Sequence, residues 1–262
     1  MNRRSTTAIA LTVAGSDSGG GAGIQADLKT FHALGAFGTS AITCVTAQNP
    51  DRVSAVQTLT PRLVTEQMDR IFEAFPIAAA KTGMLYDAGI IEAVARGFAR
   101  RKFRKVVVDP VMVAGSGARL LKSDAITALA TRLFPHAAVV TPNLAEAEVL
   151  LKGSIRTVSE LRATARLLAE KFGVPFLVKG GHLRDGKQAV DVLFDGKRFH
   201  EYRAARVPNI KTHGTGCAFS AAITANLALG WTLSESVARA KRFITSAIRG
   251  ARRTGSYSVL RI

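Results

Sequence analysis

Short apolar runs alternate with amphipathic stretches along most of the chain. Residues 9–14 form an apolar run of strand length, and 24–34 place Ile24, Leu28, Phe31 and Leu34 on one helical face. Residues 40–47 and 53–59 read as strands. Pro61 opens a helix through Phe75, because proline's missing N–H costs nothing in a first helical turn. A strand at 77–81, a helix at 87–101 and a buried strand at 106–108 ending on Asp109 come next. They are followed by a helix at 123–133, a strand at 138–141, and helices at 144–151 and 159–172. Beyond a buried strand at 176–178, the runs 189–194 and 198–202 flank Asp195-Gly196 as a hairpin. Helices at 216–229 and 234–249 close the pattern, with Gly230 placed to end the first. This alternation predicts one α/β domain over residues 1–262, with a mostly parallel sheet covered by helices. Function is then expected in the loops that leave the carboxyl ends of the strands.

Composition narrows the classes. No apolar run approaches the roughly 20 residues needed to span a bilayer. Arg3 and Arg4 precede the apolar stretch 8–14 as in a signal peptide, but that stretch runs directly into a glycine-rich loop and reads as a first strand. Cys44 and Cys217 make neither a disulfide framework nor a metal cluster, which fits a reducing cytoplasm. The net charge of +17 steers anions toward the surface. Its denser runs, 96–105 and 239–253, lie on helical patterns, and Tyr202 and Trp231 lie outside them, which argues against specific nucleic-acid binding.

Four post-strand loops carry chemistry. Gly15 to Gly23 suits close backbone approach to a ligand, yet it lacks the spacing of a dinucleotide fingerprint and also reads as a plain turn. Asp27, just beyond it, is either a helix-start charge or a substrate contact. Gly181 to Gln188 approaches a P-loop, but Gln188 replaces the final Ser/Thr and a strand follows, so it is rejected as one. In Thr141-Pro142-Asn143, Asn143 caps a helix; Glu146 is either an ordinary first-turn acid or a group that holds Mg2+ through water. Asp109 is a further carboxylate at the sheet edge. In Thr212-His213-Gly214-Thr215-Gly216-Cys217, a glycine turn opens a helix patterned by Phe219, Ile223 and Leu227. Free N–H groups and the helix dipole there make an anion site. Cys217 falls in the first turn, where a thiol's pKa is expected to drop; a small packing cysteine is the competing reading.

Together these stretches resemble the hydroxymethylpyrimidine/phosphomethylpyrimidine kinases of thiamine biosynthesis, within the ribokinase-like superfamily. The matching segments are AGSDSGGGAGIQADLKTF from Ala14, TAQN from Thr46, KTGML from Lys81, DPVMV from Asp109, TPNLAEA from Thr141, VKGGH from Val178 and THGTGC from Thr212. The resemblance implies a ribokinase-like fold and MgATP-dependent phosphorylation of 4-amino-5-hydroxymethyl-2-methylpyrimidine, then of its monophosphate. It places Gly15, Asp27, Gln48 and Met84 around the pyrimidine. Lys179, Asn143 and His213 fall near ATP, and Glu146 and Asp109 near Mg2+ and the phosphates. Gly214, Thr215, Gly216 and Cys217 form the anion hole, with Cys217 as the catalytic base. A cytoplasmic homodimer is the inherited expectation. Two departures stand out: Gly115 replaces the usual lysine in the Ala114-Gly115-Ser116-Gly117 loop, and the C-terminus lacks the family's G-H-G-P-like ending.

Pyridoxal kinases share this fold and can share the G-T-G-C centre. Gln48 separates the two readings, since its amide pairs a donor with an acceptor, as an aminopyrimidine's ring nitrogen and amino group require. A non-catalytic basic binding protein on the same scaffold is the alternative from another class; the intact acceptor, metal and anion-hole segments argue against it.

Overall fold

The computed structural model describes residues 7–112, 121, 123–183, 188–208 and 213–262. The chain enters through β1 (Ile9–Asp17), α1 (Gly23–Ala33), β2 (Phe37–Gln48), β3 (Val53–Thr58), α2 (Pro61–Ala74) and β4 (Ile77–Thr82). It continues with α3 (Ala88–Arg100), β5 (Val106–Val108), α4 (Ser123–Ala128), β6 (Ala137–Val140), α5 (Leu144–Leu151) and α6 (Val158–Phe172). β7 (Phe176–Gly180), β8 (Gln188–Phe194), β9 (Phe199–Ala205), α7 (Thr215–Ala228) and α8 (Leu233–Arg249) complete the main body.

One nine-stranded sheet, ordered β3-β2-β1-β4-β5-β6-β7-β8-β9, forms the middle layer. The six strands from β2 to β7 in that order run parallel, and β3, β8 and β9 are antiparallel at the two edges. The connection after β1 leads to β2 on one side, whereas β4 pairs with β1 on the other. This reversal opens a crevice at the carboxyl ends of β1 and β4, where ligands collect in such sheets.

Side-chain alternation along the strands sorts the layers. Leu11, Val13, Ala80, Val106, Val108 and Val178 face α2 to α6, while Ala79, Val107 and Leu177 face α7 and α8. Helix α1 joins the second layer through Phe31, which packs with Ala221 and Ala225 of α7. Every residue from Ala218 to Leu227 is buried, so α7 runs inside the protein rather than along its surface. Three helices start on capping boxes that the sequence spells out: Asn143/Glu146, Thr157/Glu160 and Thr232/Glu235.

Two features depart from the sequence pattern. The helix expected over 123–133 is α-helical only to Ala128; Leu129–Leu133 widens to a π-turn, and Phe134–His136, held by Pro135, tightens to a 3-10 turn. The C-terminus, unassigned from sequence, forms a two-stranded ribbon, β10 (Arg252–Thr254) with β11 (Tyr257–Val259). Its strands are short and largely polar, so no apolar run marks them as Val106–Val108 is marked. The Ala114–Gly117 loop and Thr212 lie outside the described residues, as do residues 184–187 of the rejected P-loop.

Candidate active site

The period of two along the strands also builds the site. Lys81 shares a face with Ala79, Asp109 with Val107 and Lys179 with Leu177, so all three project toward α7 as their strands end. There Lys179 Nζ donates to Asp109 Oδ1 at 3.0 Å, and Ser220 Oγ of α7 donates to Asp109 Oδ2 at 3.0 Å. The Lys179 and Lys81 charges and the two hydrogen bonds hold Asp109 below the usual carboxylate range, against the opposing effect of burial. Gly216 leaves room beside this pair, because a Cβ there would come within 3.4 Å of Lys179 Nζ. The first turn of α7 carries no acidic residue of its own, so nothing within the helix opposes its dipole.

Asn143 and Glu146 close one side of this cluster. Asn143 caps α5 by accepting from Glu146 N at 3.0 Å, and Glu146 Oε2 accepts from Asn143 N at 2.8 Å. Glu146 Oε1 accepts from Met112 N at 3.2 Å, beyond a left-handed backbone at Val111, whose φ is 38°. Burial pushes Glu146 up to about 6, with Lys179 working against the rise and Asp109 adding to it. A carboxyl raised in the folded state stabilises the fold fully below its unfolded value, and that contribution is lost as pH rises through the folded value. The ligand-free protein is therefore expected to lose about 2 kcal/mol from this group between pH 4.5 and about 6. Urea unfolding of wild type against Glu146→Gln across that window checks it; a pH-independent difference removes Glu146 as the cause.

Across the crevice, Gly15, Cys44 and Met84 lie together. A Cβ at Gly15 would come within 2.7 Å of Cys44 Sγ and 3.8 Å of Met84 Cβ, and Thr43 Oγ1 donates to the Met84 carbonyl at 2.7 Å. The Gln48 side-chain amide lies 2.8 Å from His213 Nε2, which also lies 3.1 Å from Asp17 Oδ2. The ring of His213, which the family resemblance put near ATP, thus lies against Gln48 and the glycine-rich loop.

Asp27 and Lys81 are both fully buried. Lys81 Nζ donates to both Asp27 oxygens at 2.9 and 3.0 Å, and Thr12 Oγ1 donates to Oδ2 at 2.7 Å. Asp27 thus has no exposed edge to offer a substrate in this structure; it holds Lys81. Burial works against the Lys81 charge, but Asp27 keeps its pKa above the ordinary value.

Cys217 stands in the field of Lys81, Asp27 and Asp109, with the Gly23 N–H favouring its thiolate. The expected fall in the thiol's pKa is not found. Burial pushes Cys217 up to about 11, outweighing Lys81 and the Gly23 N–H, with Asp27 and Asp109 adding to the rise. Sequence reasoning also passed over Lys81, Ser220 and the contact of Asp17 with His213. A lone lysine inside the apolar run Ile77 to Thr82 was the available signal, since buried lysines require partners.

The phosphomethylpyrimidine kinase family model matches residues 17–260. The chain belongs to that family. It is 48% identical over 248 residues to a hydroxymethylpyrimidine/phosphomethylpyrimidine kinase of Rhizobium meliloti, covering 94% of this chain and 92% of the relative. It spans about half the length of the bifunctional thiamine-biosynthesis relatives it also matches. Among solved structures, phosphomethylpyrimidine kinase of Clostridium difficile superposes with a TM-score of 0.81 at 40% identity, over 92% of this chain and 99% of that one. An ADP complex of Bacillus subtilis pyridoxal kinase superposes with a TM-score of 0.89 at 35% identity, over 97% of each chain. The ribokinase-like architecture expected from the motifs is thus the one this family adopts.

Proposed function

We propose that the protein transfers the γ-phosphoryl group of ATP to the hydroxymethyl group of 4-amino-5-hydroxymethyl-2-methylpyrimidine, and then phosphorylates the monophosphate. The observation that carries this reading is the gathering around the start of α7 of the Lys179–Asp109 pair, beside Gly216, and of Gln48, against His213. The N–H groups at Gly214 to Cys217 open between them. Phosphoryl transfer needs mainly positioning and charge stabilisation, and a helix N-terminus inside the protein supplies both at the moving group. Lys179 sits against the phosphates, with Asn143 beside it. Gln48 reads the aminopyrimidine edge, and Gly15 and Met84 flank the ring.

Asp109 and Glu146 fit Mg2+, which takes oxygen ligands and binds through one or two carboxylates together with substrate phosphates. Both are buried, and Lys179 lies in the field of both. When bound, the ion would neutralise charge on the phosphates. Among the described residues no cluster of three or more His, Cys, Asp or Glu forms an all-protein metal cage, in keeping with a substrate-assisted site.

Cys217 is read as the base for the acceptor's proton, a role that requires substrate binding to bring its thiol down from about 11, with Lys81 as the cation that favours the thiolate. On this reading Cys217→Ala lowers kcat about 100-fold for both acceptors. Unchanged turnover of both would remove Cys217 from the mechanism. A coupled assay of ADP release with the hydroxymethylpyrimidine, its monophosphate and pyridoxal as acceptors tests the whole reading. Pyridoxal turnover at comparable efficiency would favour the pyridoxal kinase alternative, which the Bacillus subtilis superposition motivates. A cytoplasmic homodimer belongs to this reading through the family resemblance; light scattering in solution tests the dimer.

A further inference from the structure

Gln48 reads its ligand only if its amide is the right way round. The backbone of Gln48 is fixed: Ser18 Oγ accepts from Gln48 N at 2.8 Å and donates to Gln48 O at 2.8 Å. The side-chain amide still has two orientations, related by a half-turn, which exchange oxygen for nitrogen. Its neighbour His213 decides between them, and His213 is in turn constrained by Asp17.

Asp17 is buried at 3% exposure and already accepts three backbone N–H groups. Gly19 N donates to Oδ1 at 2.8 Å, and Gly21 N and Ala22 N donate to Oδ2 at 3.2 and 2.8 Å. Burial alone would raise Asp17, but the His213 hydrogen bond and those N–H groups bring it below the usual carboxylate value, so it is an acceptor only. His213 Nε2, 3.1 Å from Oδ2, must then carry the ring proton; an unprotonated nitrogen would set lone pair against lone pair. The same nitrogen lies 2.8 Å from Gln48 Nε2; two N–H groups cannot face each other there, so the amide is turned by a half-turn and its oxygen accepts.

We infer that Asp17 and His213 are positioning residues that lock the Gln48 amide with its oxygen toward His213, fixing the order of donor and acceptor shown to the substrate. His213 occupies one lone pair of the oxygen. The other lone pair and the neighbouring N–H remain as a donor–acceptor edge. That edge matches a ring nitrogen that accepts beside an exocyclic amino group that donates. It mismatches the 4-oxo analogue, whose ring N–H and carbonyl reverse the order. The inference rests on the proposed role of Gln48 and adds what makes it selective.

Two measurements test it. In ligand-free, 15N-labelled protein, the His213 imidazole signal, assigned by its loss in His213→Asn, is expected to show Nε2 protonated and Nδ1 bare. Asp17→Asn, which no longer demands a donor, is expected to move the proton to Nδ1. A wild-type ring protonated only on Nδ1 overturns the inference whatever the substrate. In the second, the 4-amino and 4-oxo pyrimidines compete as acceptors. Discrimination against the oxo compound is expected to fall at least about tenfold in His213→Asn, whose amide can turn either way. An unchanged ratio with a raised KM for ATP overturns the inference and returns His213 to the nucleotide side. A wild-type enzyme that phosphorylates pyridoxal and neither pyrimidine overturns the proposed function, while the ligand-free imidazole signal still decides the Asp17–His213 assignment.

Discussion

Gly214→Ala is expected to lower kcat/KM for phosphoryl transfer by at least about 100-fold, the loss seen when an oxyanion-type donor is displaced. Gly214 sits at φ 80°, and a Cβ there would lie 1.7 Å from the carbonyl oxygen of Gly21 and 3.1 Å from Ala22 Cα. Both obstacles are backbone, so neither can turn aside as a side chain does. Either the start of α7 or the glycine-rich loop must move by more than an ångström, and the two together shape the crevice. Gly230→Ala is the control: it has the same left-handed backbone, φ 91°, but nothing lies within 4 Å of the new Cβ. That variant is expected to lose about 1–2 kcal/mol of stability from the backbone alone and to keep its activity. Steady-state kinetics and thermal unfolding of both variants separate the clash from the strain. Equal activity in the two would show that the contact between Gly214 and Gly21 is dispensable.

Lys81→Met is expected to cost about 3–5 kcal/mol of folding stability, because it leaves the Asp27 carboxylate buried without its cation. The pair has 0% side-chain exposure on both partners, and its remaining support is a single hydroxyl, Thr12 Oγ1. The double variant Lys81→Met with Asp27→Leu is expected to recover much of that loss, since neither charge is then stranded in the interior. Urea midpoints of the wild type, both single variants and the double variant form the cycle that measures the coupling. Additive losses would mean that the two groups do not depend on each other. That outcome is incompatible with an ion pair sealed from water.

Much of the fold was legible because local rules agree with the global one. The apolar runs become the parallel core, Asn143 caps α5 as expected, and Asp195-Gly196 becomes the β8–β9 turn. The break in the helix after Ala128 was not legible. The residues Leu129 to Leu133 suit an α-helix, and nothing in their pattern encodes a widened turn. The candidate site was legible in its parts: a glycine turn was expected before a helix at Gly214, and α7 starts there. Its internal arrangement was not. His213 belongs by sequence to the turn that opens α7, yet its ring reaches Asp17, 196 residues away, and Gln48.

From its sequence alone this protein has its alternating α/β order, its family and the position of the glycine turn that opens α7. Those follow from the period of side chains and from backbone conformations that only glycine tolerates, and neighbours in the chain set both. Tertiary structure alone decided the charge states. Lys81 meets Asp27 across 54 residues, and Cys217 is pushed up by burial although it sits where a helix dipole favours a thiolate. Desolvation and electric field depend on everything packed around a group, and that surrounding exists only once the sheet has brought distant strand ends to one edge.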